Sequence, residues 1–380
     1  MIYKPLCSTE VIFINKNEMM QKLLSLCVAN VVLVMSKSSA LRWNMNSFIK
    51  QLKDKCECLN GVFIWIKNLT ENPTQRDIIN SLKEIGNKQI DIIIAIGGGS
   101  SIDLAKGISA FYNISKNNNY TINEVTNNIK NKNYKDKKSV DIIAIPSTAG
   151  TGSEVTQWAT IWDENKICKF SIDDQMLKPK MAIIVPEFTL SMPAKITLST
   201  GLDAMCQAIE SYWSKYTTPI VQEFAYRAVE LVIHNLRKAV EQPHNIVIRE
   251  NLCKASVLAG LAFSQTRTTA CHSISYPLTM VYGVPHGFAA AITLDEVGKI
   301  NKGHFSNDRR LFNLFSEYGG IKNWIDMVCK GVIKMRLSSF GITKEDISII
   351  VNNAFTNGRM DNNPVDLSKA DVRNILLSII

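Results

Sequence analysis

A chain of 380 residues with 46% hydrophobic content is long enough for two domains with separate cores and does not have the composition of a disordered protein. No apolar run reaches the roughly 18 to 20 residues that cross a bilayer, and the N-terminal MIYKPLCSTEVIF has no basic segment leading to an apolar stretch and a small-residue cleavage site, so a soluble cytoplasmic protein without membrane contact is expected. The formal charge of +9 comes from lysines spread along the chain and not from a basic helix interleaved with aromatics, which argues against nucleic-acid binding.

In chain order, VVLVM (31–35), GVFIWI (61–66), IDIIIAI (90–96), VDIIAIP (140–146) and MAIIVP (181–186) are short runs rich in Val and Ile that read as buried strands. Between them lie helical patterns such as TQRDIINSLKEIGNK, and strand alternating with helix implies a parallel sheet covered on both faces. The basic run KNKNYKDKK (130–138) follows an Asn-rich stretch and reads as a solvated surface loop. Beyond about residue 190 the apolar spacing becomes helical, in EFAYRAVELVIHNLRKAV, IRENLCKASVLAGLAFS and KEDISIIVNNAF, with no comparable strands. The expected organisation is an α/β nucleotide-binding domain over 1–188 and an all-helical domain over 189–380. Nine scattered cysteines without metal-ligand spacing read as reduced thiols, and Cys206 and Cys271 as small core hydrophobes.

Two turns carry ligand chemistry. DIIIAIGGGSSIDLAKGIS ends a strand, turns through three glycines and opens a helix, where close backbone approach and free N–H groups suit a diphosphate; Gly98, Gly99, Ser100 and Ser101 are the expected contacts. It is not the G-x-G-x-x-G fingerprint. IPSTAGTGSEVT follows the next strand with hydroxyls at Ser147, Thr148, Thr151 and Thr156. Two such turns at the carboxyl ends of neighbouring strands converge on one crevice, where open α/β sheets bind ligands. In GLDAMCQAIESY, Asp203 and Gln207 stand one helical turn apart, the spacing of two metal ligands, although histidine would be the stronger donor at 207.

Six blocks in order, ENPT (71–74), IGGGSSIDLAK, IPSTAGTGSEVT, LKPKMAIIVPEFTLSMP, TGLDAMCQAIESY and YGVPHG (282–287), resemble the iron-containing alcohol dehydrogenase family, whose fold is shared with dehydroquinate synthase and glycerol dehydrogenase. The resemblance implies a dehydroquinate synthase-like fold: a nicotinamide dinucleotide on the α/β domain, a helical second domain, and a divalent metal in the cleft between them. Family cofactor contacts carry over to Asn72, the GGGSS turn, Ser147, Thr148, Thr151, Thr156 and Lys169. The family's aspartate for the adenosine ribose falls at Ser36, where SKSS could accept a ribose phosphate that a carboxylate would repel; NADP use is expected, with NAD as the alternative.

The family's metal ligands fall on Asp203, Gln207, His272 and His286. Asp203 with two histidines approaches the set used by Fe(II), the expected metal, and also suits Zn(II); Gln207 either adds a carbonyl oxygen or only hydrogen-bonds in the cleft. Of five histidines, His234, His244 and His304 match no ligand position and read as surface or helix-flank residues. A further family histidine with a proton-relay role falls on Tyr276, which could give a proton to an alkoxide or only cap the pocket.

TRTTACHSISYPLTMVYGVPHG and AIESYWS look closest to the phosphonoacetaldehyde reductase branch, with Arg267, Thr268 and Thr269 placed to hold a dianionic head group. Phe288, where that branch commonly has His, departs from the pattern. The expected function is metal-dependent NAD(P)H interconversion of an aldehyde and a primary alcohol by a homodimer, phosphonoacetaldehyde to 2-hydroxyethylphosphonate being the candidate reaction. The alternatives are a lactaldehyde, butanol or glycerol type dehydrogenase, a metal-free reductase, a dehydroquinate-synthase-like lyase, and a non-catalytic nucleotide-binding descendant.

Overall fold

The computed structural model describes residues 8–112, 114, 120–135, 139–164 and 169–380. It divides into two compact units, residues 1–148 with 153–189 and residues 149–152 with 190–380.

The first unit is built on a six-stranded parallel sheet of β1 (Glu10–Phe13), β2 (Val31–Val34), β3 (Phe63–Ile66), β4 (Ile92–Gly97), β5 (Asp141–Pro146) and β8 (Met181–Ile184), in the order β1-β8-β5-β4-β2-β3. β2 and β4 are buried on both faces, which is why they read as unbroken apolar runs. Val32, Val34, Ile93, Ala95 and Ala144 pack on one face with residues of the helices Gln75–Ile85, Gly99–Phe111 and Ile122–Lys130. Leu33, Ile94, Ile96, Ile145 and Ile183 pack on the other with Lys16–Ser25 and Asn46–Cys58. The helix Gln75–Ile85 starts at a capping box: Thr74 Oγ1 accepts from the Asp77 N–H, while the Asp77 carboxylate accepts from the Thr74 N–H.

Two features lay outside the expected strands. β1 is a four-residue edge strand, half-buried to exposed along its length, so it lacks the continuous apolar run that marks β2 and β4. β6 (Trp158–Trp162) and β7 (Lys169–Asp173) form a separate antiparallel ribbon beside the parallel sheet. In the basic run, the described residues 130–133 are exposed as expected, whereas Tyr134 is buried and its Oη accepts from the Asp173 N–H. Residues 136–138 lie outside the described residues.

The second unit is helical. Its long members are Ala194–Trp213, Pro219–Glu241 and Ile246–Thr266, followed by Ala270–Tyr282 and His286–Ala291. Thr218 caps Pro219–Glu241 with proline at the first turn, where its missing N–H costs nothing. No described helix is long and apolar enough to cross a membrane.

Candidate active site

In the first unit the candidate nucleotide contacts gather at the carboxyl ends of β4, β5 and β2. Gly98 is the N-cap of Gly99–Phe111 and no side chain caps that helix, so its first N–H groups are left for a ligand. A Cβ at Gly98 would meet only Thr148, at 3.6 Å. The Ser147 N–H donates to Gly97 O at 2.9 Å and joins the two turns, and the Asn72 N–H donates to Ser100 Oγ at 3.2 Å, with Asn72 in the left-handed region (φ 57°). Ser101 packs against Gly97, where a Cβ would lie 2.2 Å from its hydroxyl. Ser36 follows β2 and caps the short helix Lys37–Arg42: its Oγ accepts from the Ser39 N–H and lies 3.0 Å from Ser38 Oγ.

Three further expected contacts have the following places and partners. Thr156 is buried, and its hydroxyl accepts from Lys106 Nζ at 3.4 Å. Thr151 belongs to the tetrapeptide Ala149–Gly152, which groups with the helical unit. Lys169 opens β7, where its charge acts on Asp103. Lys106 and Asp103, one turn apart on the glycine-turn helix, anchor the second turn: Lys106 Nζ donates to Ser153 O (2.7 Å) and Trp158 O (2.8 Å), and Asp103 accepts from Ser153 Oγ (2.6 Å) and the Thr160 N–H (2.9 Å). Burial drives Lys106 down to about 8, and drives the nearby Glu154 up to about 7.

In the second unit Asp203, His272 and His286 each bring a ligand atom to within 4.8 Å of the others. They come from three helices, and Gly287 allows the third to close in: a Cβ there would lie 1.7 Å from Ser199 O and 3.1 Å from Asp203 N. His272 Nε2 lies 3.2 Å from Asp203 Oδ1, and His286 Nε2 lies 3.9 Å from the same oxygen.

Glu210 supports this cluster and was not anticipated from the sequence. Its buried carboxylate takes His272 Nδ1, the His272 N–H (3.2 Å), the Thr269 N–H (3.1 Å) and the Thr269 hydroxyl (2.9 Å). An acceptor-only carboxylate on Nδ1 requires that nitrogen to carry hydrogen, which directs Nε2 to Asp203 as the ligand atom. Burial opposes a charged His272, but Glu210 and Asp203 outweigh it and push its pKa up to about 10. Two buried carboxylates around one imidazole make this a site that favours positive charge, which a divalent cation would supply. The spacing of Asp203, Gln207 and Glu210, four and then three residues, is the signal that could have revealed Glu210.

Gln207 Oε1 is buried and has no hydrogen-bond partner among the described residues. Leaving a buried polar atom unsatisfied costs about 1–3 kcal/mol. A cation held by Asp203, His272 and His286 would relieve that cost if Gln207 turned its carbonyl to it, so the donor set fits a divalent metal. The hydroxyl and N–H of Thr269 both serve Glu210 and are not left for a substrate anion. Cys206 and Cys271 are fully buried, and burial pushes both thiols well up, as suits core hydrophobes. His234, His244 and His304 are exposed.

Tyr276 stands one turn beyond His272, with its ring stacked against that of His286 at 6.4 Å. Arg267 caps Ile246–Thr266 at φ 61° and ψ −180°, a conformation that glycine ordinarily occupies, so it is strained. Its guanidinium lies against Gly358. Phe288 is buried against Phe340 and fills core space.

Known proteins resemble the chain throughout. The family described as "Iron-containing alcohol dehydrogenase" matches residues 9–186, and "Fe-containing alcohol dehydrogenase family, C-terminal" matches residues 197–380. Alcohol dehydrogenase 4 of Schizosaccharomyces pombe is 30% identical over 320 residues, 81% of this chain and 73% of that one. The 1,3-propanediol dehydrogenase of Citrobacter freundii is 34% identical over 232 residues, 60% of this chain and 57% of that one. Among solved structures, sulfoacetaldehyde reductase from Bifidobacterium kashiwanohense in complex with NAD+ superposes with TM-score 0.85 at 28% identity, covering 100% of this chain and 99% of that one.

Proposed function

Because the chain belongs to the iron-containing alcohol dehydrogenase family, and is thereby an alcohol–aldehyde oxidoreductase working with a nicotinamide dinucleotide and a divalent metal, we propose that it reduces a small aldehyde bearing an anionic head group. Asp203, His272, His286 and Gln207 would hold the metal, and the orphaned Gln207 Oε1 beside an otherwise compact donor set is the observation that carries this assignment. When bound, the cation would polarise the carbonyl oxygen and the nicotinamide would supply hydride. Glu210 fixes the His272 tautomer, the turns around Gly98 and Ser147 receive the dinucleotide phosphates, and Tyr276 beside His286 serves the substrate oxygen.

The candidate substrate is phosphonoacetaldehyde, reduced to 2-hydroxyethylphosphonate. Support comes from Arg267, whose strained backbone sets its guanidinium against Gly358, and from the sulfoacetaldehyde reductase, whose substrate also joins an aldehyde to an anion. Ser36, with Lys37, Ser38 and Ser39, supports NADP over NAD at the adenosine ribose. A homodimer is part of this reading, and β1, which lies at an edge of the sheet among the described residues, is a candidate surface for it.

Elemental analysis, followed by an aldehyde panel with NADPH and NADH, tests the proposal. One divalent metal per chain and a kcat/KM higher for phosphonoacetaldehyde than for lactaldehyde or butanal are expected. Turnover that survives complete metal removal would sink the metal assignment, and a preference for neutral aldehydes would sink the substrate class.

A further inference from the structure

The hydrogen-bond direction of the Tyr276 phenol is set by a residue that lies outside the six sequence blocks. Arg359 Nε donates to Tyr276 Oη at 2.9 Å. A guanidinium has no acceptor atom, so the phenol accepts in this bond and its own proton must point elsewhere. Arg359 is itself held in place: Nη1 donates to Gly358 O at 3.2 Å, and Asn362 Nδ2 ties the segment to the carbonyls of Thr266, Thr268 and Gly358 at 3.0–3.3 Å. Ser273, on the same helix as Tyr276, donates to Ala354 O and accepts from the Thr356 N–H at 3.1 Å. Tyr276 and Arg359 are thus fixed to one another from both sides, with the phenol ring alongside His286.

We propose that Tyr276 and Arg359 form a proton-donor pair, in which Arg359 is the positioning residue that aims the phenol proton away from itself and toward the aldehyde oxygen. The inference rests on the reading of Asp203, His272 and His286 as the place where that oxygen is held. In the reduction, hydride adds to the carbonyl carbon and the C–O π pair moves onto oxygen. That oxygen takes the proton from Tyr276 Oη, and the phenolate left behind is held by the Arg359 charge until water returns a proton. In the oxidation the same phenolate takes the alcohol proton. A relay of this kind works in both directions because the phenolate has a permanent cationic partner.

The test uses metal-loaded wild type, Tyr276→Phe, Arg359→Ala, Arg359→Lys and the double variant Tyr276→Phe/Arg359→Ala, in single turnovers with a neutral aldehyde (propanal) and an anionic one (phosphonoacetaldehyde). Y276F and R359A should each slow the chemical step about 100-fold on both aldehydes, with KM and metal content unchanged. The double variant should be no slower than Y276F alone, and added guanidinium should restore rate to R359A but not to Y276F. R359K, which keeps the charge, should lie between R359A and wild type and decides the matter if R359A does not fold. A Y276F rate equal to wild type overturns the pair, as does an R359A defect confined to the KM of the anionic aldehyde, which would make Arg359 a head-group residue. Wild-type protein that turns over neither aldehyde would instead overturn the functional reading on which the pair depends.

Discussion

The turn after β4 and the cluster around Asp203 draw on different parts of the chain. The first offers main-chain N–H groups at an uncapped helix start, with Ser147 and Asn72 pinned to it through Gly97 and Ser100. The second offers side-chain atoms from three helices, with two buried carboxylates held by histidine and threonine donors. A site made of backbone is sensitive to anything that adds bulk and indifferent to most exchanges of side-chain chemistry. One made of buried charges responds in the reverse way, because removing one partner leaves another uncompensated.

Breaking the second site should give the largest effect. Asp203→Ala removes the oxygen that both histidines face, and should abolish metal uptake and cut turnover by about 1,000-fold or more, as elemental analysis and steady-state rates would report. Gly287→Ala comes next: its methyl cannot fit against Ser199 O, so His286 must retreat, and metal affinity should fall about 100-fold with a lower Tm. In the first site, the Cβ of Gly98→Val would meet only Thr148, at 3.6 Å, and the variant should leave Tm and metal content unchanged, while covering the helix start and weakening nicotinamide dinucleotide binding about 30-fold or more by calorimetry. Loss of metal in Gly98→Val would show that the two sites are not separable in this way.

Smaller changes sharpen the comparison within the metal cluster. Glu210→Gln keeps the size of the side chain but frees His272 to change tautomer, and should weaken metal binding about 10- to 100-fold. Gln207→Ala should weaken it about tenfold or less, since a neutral carbonyl is the weakest donor of the four. Gln207→His should strengthen binding relative to wild type. If Gln207→Ala costs as much as Asp203→Ala, the amide is a principal ligand; if it costs nothing, Gln207 only fills the site.

Much of this was legible locally. The buried strands β2, β4 and β5 show as Val and Ile runs because both of their faces are covered, and the glycine turn shows because a backbone site is contiguous in the chain. Asp203, His272 and His286 were reached through resemblance, since the contact between residues 69 and 83 positions apart has no local signature. Glu210 was within reach from helix spacing alone, seven residues after Asp203 on one face, yet a carboxylate on a buried face has no visible partner until the helices are packed. β6 and β7 carry no such signature, because strands in a two-stranded ribbon are defined by their pairing more than by their composition.

The alternation of strand and helix, the switch to helices near residue 190 and the glycine turn are written in local sequence, because each depends on neighbours within a few turns of chain. Only packing brings Thr269 to Glu210, Thr156 to Lys106 and Tyr276 to Arg359. Those assignments depend on which buried donor finds which acceptor. Burial makes an unmatched polar group costly, and the matching partner lies wherever the packed helices bring it.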